Sequence, residues 1–130
     1  MTDDEFLAAF EAETLPRPAW THQAHVRMAW LYLTRLPFDQ ALQTARAGIR
    51  SYNAAQGNHT GYHDTVTVAF VRLIASRLAA DKAFITFLEH NPDLLDRRQP
   101  PLLRHYSRAR LESAEARAGF VEPDLLPLPG

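Results

Sequence analysis

The sequence predicts an all-α protein: a single-domain helical bundle of four to five main helices with an irregular Pro-rich C-terminal tail. Three observations carry this. Apolar residues recur at helical spacings along most of the chain, and no segment shows the alternation of a half-buried strand. Ser, Thr and Asp stand ahead of the apolar stripes, and Pro or Gly follows them, as at helix ends. The 130 residues, 46% hydrophobic and 22% charged, suit one core-forming domain. The expected organisation is a core over about 2–91, with short helices and an extended tail over about 92–130.

The first helix is expected from Thr2, because Thr2 and Glu5 have the spacing of a capping box and Phe6, Leu7 and Phe10 form one stripe. Leu15-Pro16-Arg17-Pro18 breaks it. A second helix follows Thr21, a suitable N-cap, and runs to about Leu36 before Pro37. A third runs from Asp39 to near Gly57, and residues 58–61 form a loop. A fourth is expected from about Tyr62 to Ala80, and a fifth from a cap at Asp81 to Asn91-Pro92. Beyond Pro92 the pattern loosens. Short helices are expected at Leu102–Tyr106 and after Ser113, and Leu125, Leu126 and Leu128 suggest a tail lying extended over the helices.

Composition removes several chemistries. Without cysteine there is no disulfide, thiolate metal site, iron–sulfur cluster or cysteine nucleophile, so the six histidines are the main candidates for catalytic or metal-binding nitrogen. A net charge of -1 argues against a general nucleic-acid binder. Arg97, Arg98, Arg104, Arg108 and Arg110 read best as solvated surface. The acidic Met-Thr-Asp-Asp-Glu start lacks the features of a secretory signal, and no apolar run is long enough for a membrane span. A cytoplasmic, bacterial-type protein is expected.

The histidines fall unevenly on the helical faces. The inward stripe of the second helix reads His22, His25, Val26, Ala29, Leu33, Leu36, and that of the fourth begins at His63. The third helix ends its stripe with Tyr52, Asn53 and Gln56. If short loops make successive helices antiparallel, these polar ends share one end of the bundle, together with Tyr62 and Asp64. His22 and His25 lie three apart on one face. With His63 they form a candidate three-nitrogen site for a divalent metal (zinc, nickel, manganese or iron), leaving a position open for water.

Asp64 and Tyr62 are then the candidate catalytic acid–base groups, and Asn53, Tyr52, Thr65 and Tyr106 the candidate substrate-binding residues. A metal-free alternative uses His25 or His63 as general base, with Tyr62, Tyr52 or Asn53 stabilising developing charge. Trp20 and Trp30 are expected as core or pocket walls, Ser107 as a helix cap, and His59 and His90 as exposed. No phosphate-binding loop, dinucleotide fingerprint or nucleophile elbow is present, so no nucleotide cofactor is expected.

The segments Trp20-Thr-His-Gln-Ala-His25, Tyr52-Asn-Ala-Ala-Gln-Gly57, Gly61-Tyr-His-Asp-Thr-Val-Thr67 and Ala116-Arg-Ala-Gly-Phe-Val-Glu-Pro-Asp124 resemble a family of small uncharacterised bacterial all-helical proteins. The resemblance covers most of the chain and implies motif residues at His22, His25, Asn53, Tyr62, His63 and Thr65. In architecture the chain is also similar to DinB-like helical bundles, whose three histidines bind a divalent metal at a different ligand spacing. The expected function is a small helical enzyme with a His-rich pocket, acting on a small organic molecule by hydrolysis or elimination. The alternatives are a non-catalytic small-ligand or metal-binding module and a structural or interaction protein. The expected partners are a small-molecule substrate or ligand and a second copy of the chain as a homodimer, with no nucleic acid and no membrane.

Overall fold

The computed structural model describes residues 1–129, and the described residues form seven α-helices and three 3-10 turns with no strand. Among the described residues no helix is long and apolar enough to cross a membrane. The chain divides into two compact units, Met1–Tyr62 and His63–Gly130.

The first unit opens with α1, Asp3–Glu11, closed by the expected capping box. Glu5 N–H donates to Thr2 Oγ1 (3.1 Å), and Thr2 N–H donates to Glu5 Oε1 (3.0 Å). Past the helix, Glu13 adopts a left-handed φ of 63°, a conformation that glycine usually supplies after a helix C-terminus. The Pro-rich break is itself structured, as a 3-10 turn over Arg17–Ala19. Helix α2, His22–Arg35, starts from Thr21, whose hydroxyl accepts the Ala24 N–H at 3.1 Å. Burial on α2 extends well past the predicted stripe and takes in Ala24, Met28, Trp30, Leu31 and Tyr32.

Only Leu36 and Pro37 separate α2 from α3, Phe38–Ala55, and the two helices pack together as a hairpin. The end of α3 is marked by Gly57 at φ 75°, in the left-handed region. Helix α1 packs on α3, where Gly48 lets the Phe10 ring approach. A Cβ at Gly48 would lie 2.8 Å from Phe10 Cε2. Arg27 of α2 reaches α1 through Asp3 at 2.8 Å and lies over the Phe6 ring.

The second unit corrects several predicted boundaries. Helix α4 spans Asp64–Ser76 and is shorter at both ends than the expected Tyr62–Ala80. At its start the His63 side chain serves as the N-cap, which leaves Tyr62 outside. At its end the Ser76 hydroxyl bonds back to Leu73 O (2.7 Å), and the Arg77 guanidinium grips the Asp93 carboxylate through two bonds of 2.6 and 2.9 Å. Helix α5, Phe84–His90, is preceded by Ala83 and has no side-chain cap. Asp81, the expected cap, instead pairs with His90 Nδ1 at 3.1 Å. His90 and His59 are exposed, as the sequence predicts.

Two further 3-10 turns follow, Pro92–Leu95 and Pro101–Arg104, in place of the helix expected at Leu102–Tyr106. The chain then forms α6, Arg108–Leu111, capped by Ser107, and α7, Ala114–Ala118, capped by Ser113. Helix α4 packs on α7 and on the 3-10 turn at Pro101–Arg104. Ala69, Leu73, Leu102, Tyr106 and Leu128 form a buried cluster, with Val66, Phe70, Leu111, Phe120 and Val121 around it. Residues 120–129 contain no helix or strand; Leu128 is buried while Leu125 and Leu126 are exposed.

Candidate functional site

The open end of the α2–α3 hairpin carries a cluster of rings. Thr21 fixes one of them: its hydroxyl caps α2, and its carbonyl accepts both the His25 backbone N–H (3.0 Å) and a hydrogen bond from the His25 ring at Nδ1 (2.7 Å). A carbonyl can only accept, so Nδ1 carries the proton and Nε2 keeps its lone pair. Burial holds the His25 pKa below its ordinary 6.5, and the nearby His22 pushes it further down, against the opposing effect of the Thr21 carbonyl. The ring is therefore a neutral imidazole of fixed tautomer near neutral pH, the form a general base requires.

Trp20 lies against this ring, with centroids 3.8 Å apart, and also stacks on Phe10 at 4.7 Å. Tyr52, in the last turn of α3, approaches Trp20 at 5.2 Å and Phe10 at 5.8 Å. Its hydroxyl donates to Leu15 O at 2.8 Å, and burial raises its pKa. The Trp20 Nε1–H is shielded from solvent and has no hydrogen-bond partner among the described residues. A buried donor left in this state costs about 1–3 kcal/mol, so it marks a place where another group has something to gain.

Of the predicted residues, His22, His25 and Tyr52 thus stand at one end of the hairpin. Asn53 is half-buried beside Tyr52 in sequence, and Tyr62 is half-buried under the Arg50 guanidinium at 4.6 Å. The other predicted residues belong to the second unit, where their groups are engaged locally. His63 Nδ1 accepts the Val66 N–H (3.2 Å), and His63 Nε2 donates to Leu111 O (2.6 Å). Both ring nitrogens are occupied, and neither presents a lone pair to a metal. Thr65 is fully buried; its hydroxyl donates to Gly119 O (3.1 Å) and accepts from Val121 N–H (3.0 Å). The Tyr106 hydroxyl, also buried, donates to Val121 O at 2.6 Å. Asp64 lies fully buried in the first turn of α4.

Among the described residues no group of three or more His, Cys, Asp or Glu side chains is placed to hold a metal ion. The donor set expected for a metal does not fit at His63, whose bonds are those of a helix cap. Sequence reasoning took Thr21 as a cap and Trp20 as a wall. It did not foresee that the Thr21 carbonyl fixes the His25 tautomer, although an i, i+4 pairing of cap and histidine is a signal for it. The unpartnered indole N–H has no sequence signature. No family model, curated protein or solved structure matches the chain.

Proposed function

We propose that the protein is a small all-helical enzyme in which His25 acts as a metal-free general base on a small organic molecule, in a hydrolysis or an elimination. One observation carries this reading: a neutral imidazole whose Nδ1–H is anchored on the Thr21 carbonyl and whose Nε2 lone pair is left for chemistry. His22 contributes by disfavouring the charged form of His25. A small-molecule substrate and a cytoplasmic, bacterial setting belong to the same proposal.

The test is turnover of a panel of small esters, amides and β-substituted carbonyl compounds by the wild type and His25→Gln. Loss of the base should lower kcat by roughly 10²–10⁴-fold while circular dichroism and melting stay close to wild type. The wild-type rate should rise with pH along a limb centred below 6.5, the ordinary histidine value. Turnover that survives His25→Gln unchanged would overturn the proposal. Saturable binding without turnover would favour the non-catalytic ligand-binding module.

A further inference from the structure

We infer that Trp20 completes this site: its indole N–H is the hydrogen-bond donor for a substrate carbonyl oxygen, and His25 removes a proton from the carbon next to that carbonyl. The inference rests on the reading of His25 as a base and narrows the substrate to enolisable carbonyl compounds. Three observations lead to it. The indole Nε1–H is buried and without a partner. The indole and imidazole centroids are 3.8 Å apart with an interplanar angle of 30°, so donor and base are carried on adjacent stacked rings, and one small molecule meets both where their polar edges face the same side. Trp20 immediately precedes the Thr21 cap and His25 stands in the first turns of α2, a 14-residue helix whose N-terminal dipole favours negative charge and disfavours an imidazolium.

The Tyr52 hydroxyl, the other polar group among these rings, is committed to Leu15 O. Of these two ring donors, the indole N–H is therefore the one left for a developing oxyanion. The step balances without a further reactant. His25 Nε2 takes the α-proton, the C–H electron pair forms the C=C bond of an enolate, and the carbonyl π pair moves to the oxygen held by Trp20. When the enolate collapses, its electrons expel a β-leaving group, which takes the proton back from Nε2. Nδ1–H stays on the Thr21 carbonyl throughout. Because Nε1 is shielded, the substrate oxygen reaches it only as the atoms that cover it move aside; a dry donor is also the one that stabilises an oxyanion most.

Trp20→Phe keeps an aromatic ring against His25 and Phe10 and deletes the N–H. It should lower kcat on enolisable carbonyl substrates by roughly 10²–10³-fold with little change in KM. Turnover within about threefold of wild type in Trp20→Phe, alongside an inactive His25→Gln, would overturn the role of Trp20 and leave the base standing. A second measurement is independent of turnover. Acetohydroxamate, an analogue of the enolate oxygen, should move the Trp20 indole ¹H–¹⁵N resonance downfield and leave that of Trp30 in place. A Trp20 resonance unmoved by a large excess of acetohydroxamate would overturn the inference whatever the kinetics show. A shifted resonance with an active His25→Gln would instead overturn the base and keep the donor.

Discussion

At the scale of single residues, the same helix carries two polar groups that burial treats differently. His25 has an outlet in the Thr21 carbonyl, whereas the Tyr32 hydroxyl, also on α2, is buried with no partner. Burial, reinforced by the charge of Glu11, pushes the Tyr32 pKa up to about 12. An orphaned hydroxyl is a net cost, so Tyr32→Phe should stabilise the protein by about 1 kcal/mol, read as a higher denaturant midpoint at unchanged slope. For His25 the folded state disfavours the proton relative to the unfolded chain. Its contribution is therefore fully present above pH 6.5 and is lost as pH falls through the lowered folded value. Melting curves at pH 5 and pH 7.5 should show a larger acid-side loss in wild type than in His25→Gln. Equal losses would mean that another group governs the acid limb.

At the scale of elements, the Ser and Thr caps were legible in the sequence and the limits of α4 were not. Thr2, Thr21, Ser107 and Ser113 each accept a backbone N–H three residues on, a bond that depends on local spacing alone. The limits of α4 depend on distant partners. His63 is held by Leu111, 48 residues away, and Arg77 by Asp93, 16 residues away. Nothing in the helical periodicity of 62–80 reports those contacts, so the apolar pattern overran both ends. A histidine at the start of a buried face looks the same in sequence whether it binds a metal or caps a helix, so the sequence does not separate the two roles at His63. His63→Ala should cost about 1–2 kcal/mol through the lost cap. His63→Asn should recover much of that loss, since an asparagine side chain also caps, and chemical denaturation of the two variants checks the ordering.

At the scale of the molecule, the all-α class was legible because no stretch of the chain offers a competing period. The candidate site was legible in part. The α2–α3 hairpin follows from a two-residue connection and brings Tyr52 towards Trp20 and His25, as the faces predicted. What the sequence could not report is which polar atoms are already spent. Thr65, Tyr106 and His63 each place their polar atoms on backbone partners of the second unit. Metal content offers a direct check. In protein purified without a tag and dialysed, His63→Ala should leave the bound zinc, nickel, manganese and iron unchanged. Stoichiometric metal that disappears with His63 would restore the three-histidine centre.

The C-terminal segment has a consequence for how its sequence can vary. Tyr106 donates to Val121 O, Arg110 to Glu122 O, His105 to Leu126 O and Pro127 O, and Arg72 to Pro129 O. Every acceptor is a main-chain carbonyl, which any amino acid supplies. The path of the segment is thus written in the residues that grip it and hardly at all in its own side chains. Asp124, clasped by Ser107 N–H at 2.8 Å and Ser107 Oγ at 2.6 Å, the buried Leu128, and Val121 packed against the same buried cluster are the exceptions. Glu122, Leu125 and Leu126 can drift through neutral substitution while the segment keeps its course, and saturation mutagenesis of 121–129 should find its intolerance concentrated at Val121, Asp124 and Leu128.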